Sequence, residues 1–470
     1  MSSDLYDFGM VGLGTMGRNL LLNMADHNFS AIGFDKDRSK ASLLESTATQ
    51  GTRVKGAASL TEMVQLLKPP RKVMMLVPAG PIVDSVIRDL LPLLEKGDII
   101  IDGGNSHYTD TLKRIEFLKD RNIHFIGMGI SGGEHGARTG PSIMPGGDLE
   151  AWHHLKPILE AVSAKVNNEP CVAYMGKGAA GHYVKMVHNG IEYAIMQLIS
   201  EVYDILKKYV GLNNDELHNV FKKWNEGDLK SFLVEITADI FLKEDQLTKE
   251  RLIDIILDKA GAKGTGKWTS QDAMDIGMPV PTIDTAVIMR SMSALKDERR
   301  KASELYKPVT KQIKTGKEKM IDQLHDALYA GTIICYAQGM AMLHTASSEL
   351  KMDIPLKYVV KIWRGGCIIR SSLLELFMKV YSGKNIPSNI LLNKKIAALV
   401  KKRAGNLRKT VKLTAGNKIP AMGLMSILAY LDAYSSEQLP VNLIQAQRDY
   451  FGTHTYQRVD REGSFHTDWQ

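Results

Sequence analysis

The segment Phe8–Met24 reads FGMVGLGTMGRNLLLNM. A short strand-like run, Phe8–Val11, leads straight into Gly12-Leu13-Gly14-Thr15-Met16-Gly17, and an apolar helical period follows. In a G-x-G-x-x-G turn between strand and helix, Gly12 permits the tight turn and Gly14 lets a pyrophosphate approach the backbone. Gly17 allows the helix to lie close on the strand. The helix start adds free N–H groups and a dipole that favour phosphate. An acid follows about 20 residues on, Asp35 in GFDKDRSK, at the end of the next strand-like run. This context predicts a dinucleotide site on a parallel sheet. Asp35 suits a ribose 2′-hydroxyl and hence NAD, whereas Lys36 and Arg38 suit the 2′-phosphate of NADP, and residue types leave both open.

Working outward, strand-like runs and helical patterns alternate to about residue 175. The runs are Phe8–Val11, Ala31–Phe34, Val73–Val77, Ile99–Ile101 and His124–Met128; Glu62–Leu67 and Ile82–Leu94 read as parts of intervening helices. That alternation predicts βαβ units. Beyond Gly181, helical periods dominate, over 182–210, 214–240, 249–260, 281–304 and 317–350. From about Ser435 the chain turns polar and aromatic with poor periodicity, which predicts a tail docked on another surface. The expected architecture is an α/β Rossmann domain followed by a large all-α domain and a C-terminal tail, at 1–178, 179–434 and 435–470.

The 470 residues are too many for one ordinary domain. Three widely spaced Cys (Cys171, Cys335, Cys367) argue against a disulfide framework and for a reducing compartment. No charged-then-apolar leader opens the sequence and no apolar run reaches a membrane span, so a cytoplasmic protein without a membrane partner is expected. The net charge of +8 suggests an anionic partner. The dense basic patches Lys296–Lys301 and Lys394–Lys412 read as solvated helix faces. Zinc-finger spacing and aromatic RNP motifs are lacking, which disfavours nucleic acid.

KMVHNGIEY places Lys185, His188, Asn189 and Glu192 at offsets of three, four and seven, near one stripe of a helix. Lys185 and Glu192 would stand roughly 10 Å apart along the axis, enough to span a small polar substrate. Within GMGISGGEHGARTGPSIMPGG (Gly127–Gly147), Ser131-Gly132-Gly133 offers backbone N–H groups on a glycine-rich loop at a strand end, where open α/β sheets bind ligands. GAKGTGKW (Gly261–Trp268) nearly spells a P-loop, but Trp268 stands where Ser or Thr must hold magnesium, and RLIDIILDKA before it reads as helix. An NTPase is rejected, although Lys263 and Lys267 suit a substrate phosphate. Metal-binding clusters are not evident, and His153-His154 reads as surface.

Together these segments resemble the decarboxylating 6-phosphogluconate dehydrogenase family from Phe8 to Trp469. GLGTMG, GISGGEHGARTG and Lys185-x-x-x-Asn189 are shared with the wider β-hydroxyacid dehydrogenase superfamily. IDGGNS, KMVHNGIEY, KGTGKW, SALKDER, RGGCIIRS and NLIQAQRDYFGTHTY are more specific. The resemblance implies oxidative decarboxylation of 6-phospho-D-gluconate to D-ribulose 5-phosphate and CO2 in the pentose phosphate pathway, without a metal. It also implies a homodimer whose tails cross between subunits. By motif, Lys185 is the general base and Glu192 the general acid, while Asn105, Ser131, Gly132, Gly133, His188 and Asn189 hold the sugar acid. Tyr193, Lys263 and Arg290 surround the substrate and its phosphate, joined by Arg448 and His454 of the partner subunit. Gly12, Leu13, Gly14, Thr15, Met16, Gly17, Asp35, Lys36, Asp37, Val77, Pro78, Ala79 and Asn105 match the cofactor side.

The sequence departs from the family where Asn-Arg-Thr or Asn-Arg-Ser is usual and Asp35-Lys36-Asp37 stands, and where Pro78 replaces a lysine. NADP is the family's cofactor, and the departures raise the expectation of relaxed specificity or an NAD preference. Another hydroxyacid dehydrogenase would not need Lys263, Arg290 and Arg448. A polyanion-binding protein on a Rossmann scaffold would not need Lys185 beside Glu192.

Overall fold

Seven strands, β1 (Phe8–Val11), β2 (Ala31–Phe34), β3 (Val54–Gly56), β4 (Lys72–Met75), β5 (Ile99–Asp102), β6 (His124–Ser131) and β7 (Ser142–Gly147), form one sheet. Their order is β3-β2-β1-β4-β5-β6-β7 in this computed structural model, which describes residues 5–307 and 316–469. The outer ends of the expected first and last segments, residues 1–4 and 470, lie outside the described residues. Strands β1 to β6 pair in parallel. The order reverses between β1 and β4, the switch point at which open α/β sheets bind ligands. Apolar side chains fill both faces: Met74 and Ile101 point into one cluster, Val73, Met75 and Ile100 into the other. Burial on both faces is the reason these strands read as continuous apolar runs.

The sheet is not purely parallel. β7 runs antiparallel to β6, pairing Ile130 with Ile143. The stretch expected as a glycine-rich loop is therefore the end of β6, a short helix Gly133–Thr139 and β7. Its glycines serve close packing of the helix Ala180–Asp204 on the sheet. A Cβ on Gly129 would lie 2.3 Å from Lys185 Cβ, one on Gly146 2.2 Å from the Gly181 nitrogen, and one on Gly181 2.1 Å from the Gly127 oxygen. Strand β3 escaped the sequence reading because Val54-Lys55-Gly56 is short, half-buried and at the sheet edge.

Beyond the sheet the chain is helical. Ala180–Asp204 is buried on nearly every side and packs along Lys317–Glu349, whose own middle is fully buried. Two expected helices are each divided in two: Asn214–Glu226 and Phe232–Leu242 part at Gly227, and Pro281–Ala294 and Lys296–Tyr306 part at Leu295. Over 249–260 only Leu252–Ile255 is helical; the run of Ile and Leu there finds no core, and Ile255, Ile256 and Leu257 are exposed. The helix Lys394–Gly416 carries eight Lys and Arg and no acid, as many cations as the chain's net charge of +8. Seven of the eight face solvent, while Arg403 is buried against Asp228. Among the described residues no helix is long and apolar enough to cross a membrane.

The terminal segment has more order than its periodicity suggested. It forms a helix, Asn442–Gly452, and a return pairing of Tyr456 with Phe465. Both wrap the fully buried Asp449. Its carboxylate accepts from the Thr455 and Thr467 amides at 3.0 and 3.1 Å, from His466 Nδ1 at 2.9 Å and from Trp469 Nε1 at 2.8 Å. Burial pushes its pKa up, but the His466 and Trp469 donors prevail and hold it down to about 2. Leu443, Ile444, Tyr450 and Phe451 remain exposed on this element.

Candidate active site

At the end of β1 the turn has the geometry its glycines require. Gly12 has φ of +95°, and a Cβ there would lie 2.5 Å from the Leu76 carbonyl oxygen. A Cβ on Gly17 would lie 2.0 Å from the Gly12 oxygen, whereas one on Gly14 would meet nothing within 4 Å. The tight positions hold the turn and the open one leaves the backbone approachable, in front of the helix Thr15–Asp26, whose N-terminus has no side-chain cap. This fits a dinucleotide pyrophosphate. Thr15 is exposed, Met16 half-buried and Leu13 buried.

Asp35 turns inward. Its Oδ2 accepts from the Leu13 amide at 2.8 Å, its Oδ1 from the Asp37 amide at 3.0 Å, and Lys40 lies 3.3 Å away. The carboxylate braces the glycine turn and is partly neutralised. Asp37 caps the helix Arg38–Ser46 through the Ser39 amide at 3.0 Å. Lys36 and Arg38 are left exposed at the strand end. Val77, Pro78 and Ala79 follow β4, and exposed Asn105 follows β5 in a turn held by Asp102, which accepts from the Gly104 amide at 3.0 Å.

The polar stripe of the Ala180–Asp204 helix lies against the end of β6. Lys185 is 7% exposed, and burial pushes its amine pKa down against the pull of Glu192. His188 is fully buried, and burial and Lys185 together push its pKa well below the ordinary range. Its Nδ1 meets Asn189 Oδ1 at 3.1 Å and its Nε2 meets Ser131 Oγ at 3.2 Å. With the proton on Nδ1, neutral His188 donates to Asn189 and accepts the Ser131 hydroxyl, a tautomer that this network selects. Trp363 stands edge-on to the ring at 5.6 Å. Glu192 Oε2 is 3.8 Å from His188 Nδ1; burial pushes this carboxyl up, opposed by Lys185 and Arg290. An amine pushed down and a carboxyl pushed up by burial thus share one helix face.

Gly132 and Gly133 have φ of +132° and +64°, values that other residues adopt only at a cost. Gly132 lies against the Gly366 carbonyl, and the Ile368 amide donates to Ser131 Oγ at 3.4 Å. This 365–368 loop is a part of the site that the residue types did not reveal; its paired glycines after the helix Leu356–Trp363 were the available signal. On the outer side, the Arg290 guanidinium lies 3.2 Å from the Tyr193 ring centroid and donates to the Gly261 carbonyl at 3.1 Å, beside exposed Lys263. Lys267 lies within the helix Thr265–Asp275 rather than on the loop. Arg448 and His454 sit on the terminal segment, where Arg448 meets Gln445 and His454 stacks edge-on to Phe451. Within one chain they are not brought to the Lys185 stripe. His153 and His154 are exposed. Among the described residues no group of three or more His, Cys, Asp or Glu could hold a metal ion.

Comparisons with known proteins give the family. Residues 7–176 match the family model described as the NAD binding domain of 6-phosphogluconate dehydrogenase, and residues 181–469 match that of its C-terminal domain. The chain is 50% identical over 462 residues to the NADP(+)-dependent, decarboxylating 6-phosphogluconate dehydrogenase of Bacillus subtilis, covering 98% of each. It is 49% identical to decarboxylating 6-phosphogluconate dehydrogenase 1 of Saccharomyces cerevisiae, over 96% of this chain and 92% of that one. The Plasmodium falciparum 6-phosphogluconate dehydrogenase, solved in its apo form, with NADP+ and with 6-phosphogluconate, superposes with a TM-score of 0.96. It shares 44% identity, with 98% of this chain and 100% of that one covered. With both halves matched and the likeness running end to end, the chain belongs to the 6-phosphogluconate dehydrogenase family.

Proposed function

We propose that the protein oxidatively decarboxylates 6-phospho-D-gluconate to D-ribulose 5-phosphate and CO2 with NADP, as an enzyme of the pentose phosphate pathway in the cytoplasm. The observation that carries this reading is the opposed tuning of Lys185 and Glu192 beside Ser131-Gly132-Gly133. Neutral Lys185 takes the proton of the substrate's carbon-3 hydroxyl. Bound NADP supplies the hydride acceptor. The product of oxidation is a β-keto acid, and the Lys185 ammonium polarises its ketone as CO2 leaves. Glu192 then delivers a proton to carbon 1 of the enediol. Ser131, His188 and Asn189 fix the sugar acid, with Asn105, Gly132 and Gly133 beside them. Tyr193, Lys263 and Arg290, with Arg448 and His454 of the partner subunit, take the phosphate end.

Arg448 and His454 on a terminal element with exposed Leu443, Ile444 and Phe451 support a homodimer with exchanged tails. The units at work are 1–178, 179–434 and 435–470. For the cofactor, Gly12–Gly17 hold the pyrophosphate and Val77, Pro78 and Ala79 line the approach. Asp35 has its oxygens engaged, which removes the main ground for NAD, while Lys36 and Arg38 are free to meet a 2′-phosphate.

Dinucleotide reduction followed spectrophotometrically with 6-phosphogluconate, using NADP and NAD in turn, tests both points. Turnover with CO2 release and a kcat/KM favouring NADP by more than about tenfold is expected. No turnover would remove the reading, and a preference for NAD would restore Asp35 as a ribose ligand.

A further inference from the structure

Asp272 is a buried carboxylate that the proton chemistry does not use. It lies on the helix Thr265–Asp275 and is 4% exposed. The Tyr108 hydroxyl donates to its Oδ1 and the Tyr183 hydroxyl to its Oδ2. Among the described residues it forms no ion pair. Desolvating an unpaired carboxylate is costly, and apolar side chains would fill the same space without that cost. The position of its two donors accounts for its presence. Tyr108 opens the helix Tyr108–Lys119, three residues after Asn105. Tyr183 lies two residues before Lys185. The two rings meet edge to face at 5.0 Å. From the helix of Asp272, Trp268 stands edge-on to His107 at 4.8 Å and Thr269 Oγ1 donates to the Met186 carbonyl at 2.8 Å. One carboxylate thus joins the turn after β5, the helix of Lys185 and the helix that follows the Lys263 loop. Burial, and then the carboxylate itself, push both tyrosine pKa values up, so both hydroxyls remain donors.

We propose that Asp272 is a positioning residue: through Tyr108 and Tyr183 it fixes the dinucleotide side of the site relative to the Lys185 helix, and so sets the separation of the two reacting centres. This rests on Lys185 being the base. The test uses Tyr108→Phe, which removes one hydroxyl without changing shape, Asp272→Asn, and the pair combined. Misplacement by a fraction of an ångström lowers kcat by about tenfold, with KM for 6-phosphogluconate within about twofold. The primary isotope effect with substrate deuterated at carbon 3 grows as hydride transfer becomes slower. The double variant loses no more than Asp272→Asn alone, because Tyr108 acts through that carboxylate. Thermal unfolding reports the folded fraction of each. A kcat per folded molecule within twofold of the parent, with an unchanged isotope effect, would overturn the proposal. If the parent protein itself does not turn over 6-phosphogluconate, the reading of the site falls. The joint is then tested by titrating NADP against tryptophan fluorescence, with Trp268→Phe identifying the Trp268 part of the signal: loss of that part in Tyr108→Phe supports it, and its retention overturns it.

Discussion

In the proposed reading Gly12–Gly17 bind through backbone N–H groups, left approachable because Gly14 has no side chain, and the surrounding residues need only stay out of the way. In the same reading the groups at Lys185–Glu192 work through side-chain atoms, whose chemistry depends on the helix Ala180–Asp204 being buried against β6 and β7. In water the amine would be charged and the carboxyl ionised, and neither would serve. The first site depends on shape and survives any neutral surroundings. The second depends on the absence of water, so it is vulnerable to changes that never touch substrate.

The sharpest way to break this contrast is Lys185→Met. It is expected to lower kcat by about 10³–10⁴-fold while calorimetry still detects 6-phosphogluconate binding. Stability moves the other way. The amine's folded pKa is lowered, so the unfolded chain holds that proton more tightly, and the folded state is penalised at neutral pH. Urea unfolding of Lys185→Met at pH 7 is expected to show a stability equal to or above that of the parent, and a clear loss would mean the lysine is solvated. Glu192→Gln comes next: a fall of about 10²-fold in turnover, with hydride transfer less affected than ribulose 5-phosphate formation in a rapid-quench experiment.

The glycine turn sharpens the other side. Gly17→Ala places a methyl 2.0 Å from the Gly12 oxygen and is expected to cost about 1–3 kcal/mol in denaturant titration. Gly14→Ala meets nothing within 4 Å in the protein. It is expected to leave unfolding unchanged while raising KM for NADP about tenfold, because the methyl occupies the path of the pyrophosphate.

The effect furthest from the chemistry concerns Glu201, further along the same helix, which accepts from the Gly423 and Leu424 amides at 2.7 and 2.8 Å. Burial pushes its pKa up to about 7. The folded state therefore holds this proton more tightly than the unfolded chain, and the associated stability is present at acid pH and lost as pH rises from about 4.5 through about 7. The loss is at most about 3 kcal/mol. Unfolding free energies of Glu201→Gln against pH are expected to be flatter than the parent's over this window.

The dinucleotide turn was legible because its signal is local: three glycines, a strand before, a helix after. The stripe KMVHNGIEY was legible as a periodicity, but not as buried, since the glycines that admit the helix to the sheet lie some 40 to 55 residues earlier, at Gly129 and Gly146. The same glycines made β7 read as loop, because close packing and flexibility use one residue type. Residue types left Asp35 open as a ribose ligand, with Lys36 and Arg38 as the competing 2′-phosphate ligands. Its engagement with the Leu13 amide is a tertiary contact that no spacing rule contains. The loop behind Ser131 and the Tyr108–Asp272–Tyr183 joint unite positions 75 to more than 230 residues apart, beyond any periodicity.

The hub around Asp449 has a practical consequence for handling the protein. Because Thr467 and Trp469 are among the groups that close it, trimming the last few residues unties an element that also carries Arg448 and His454. A purification tag fused after Gln470 begins two residues beyond a closing hydrogen bond, so a cleavable tag there should be removed before activity is judged.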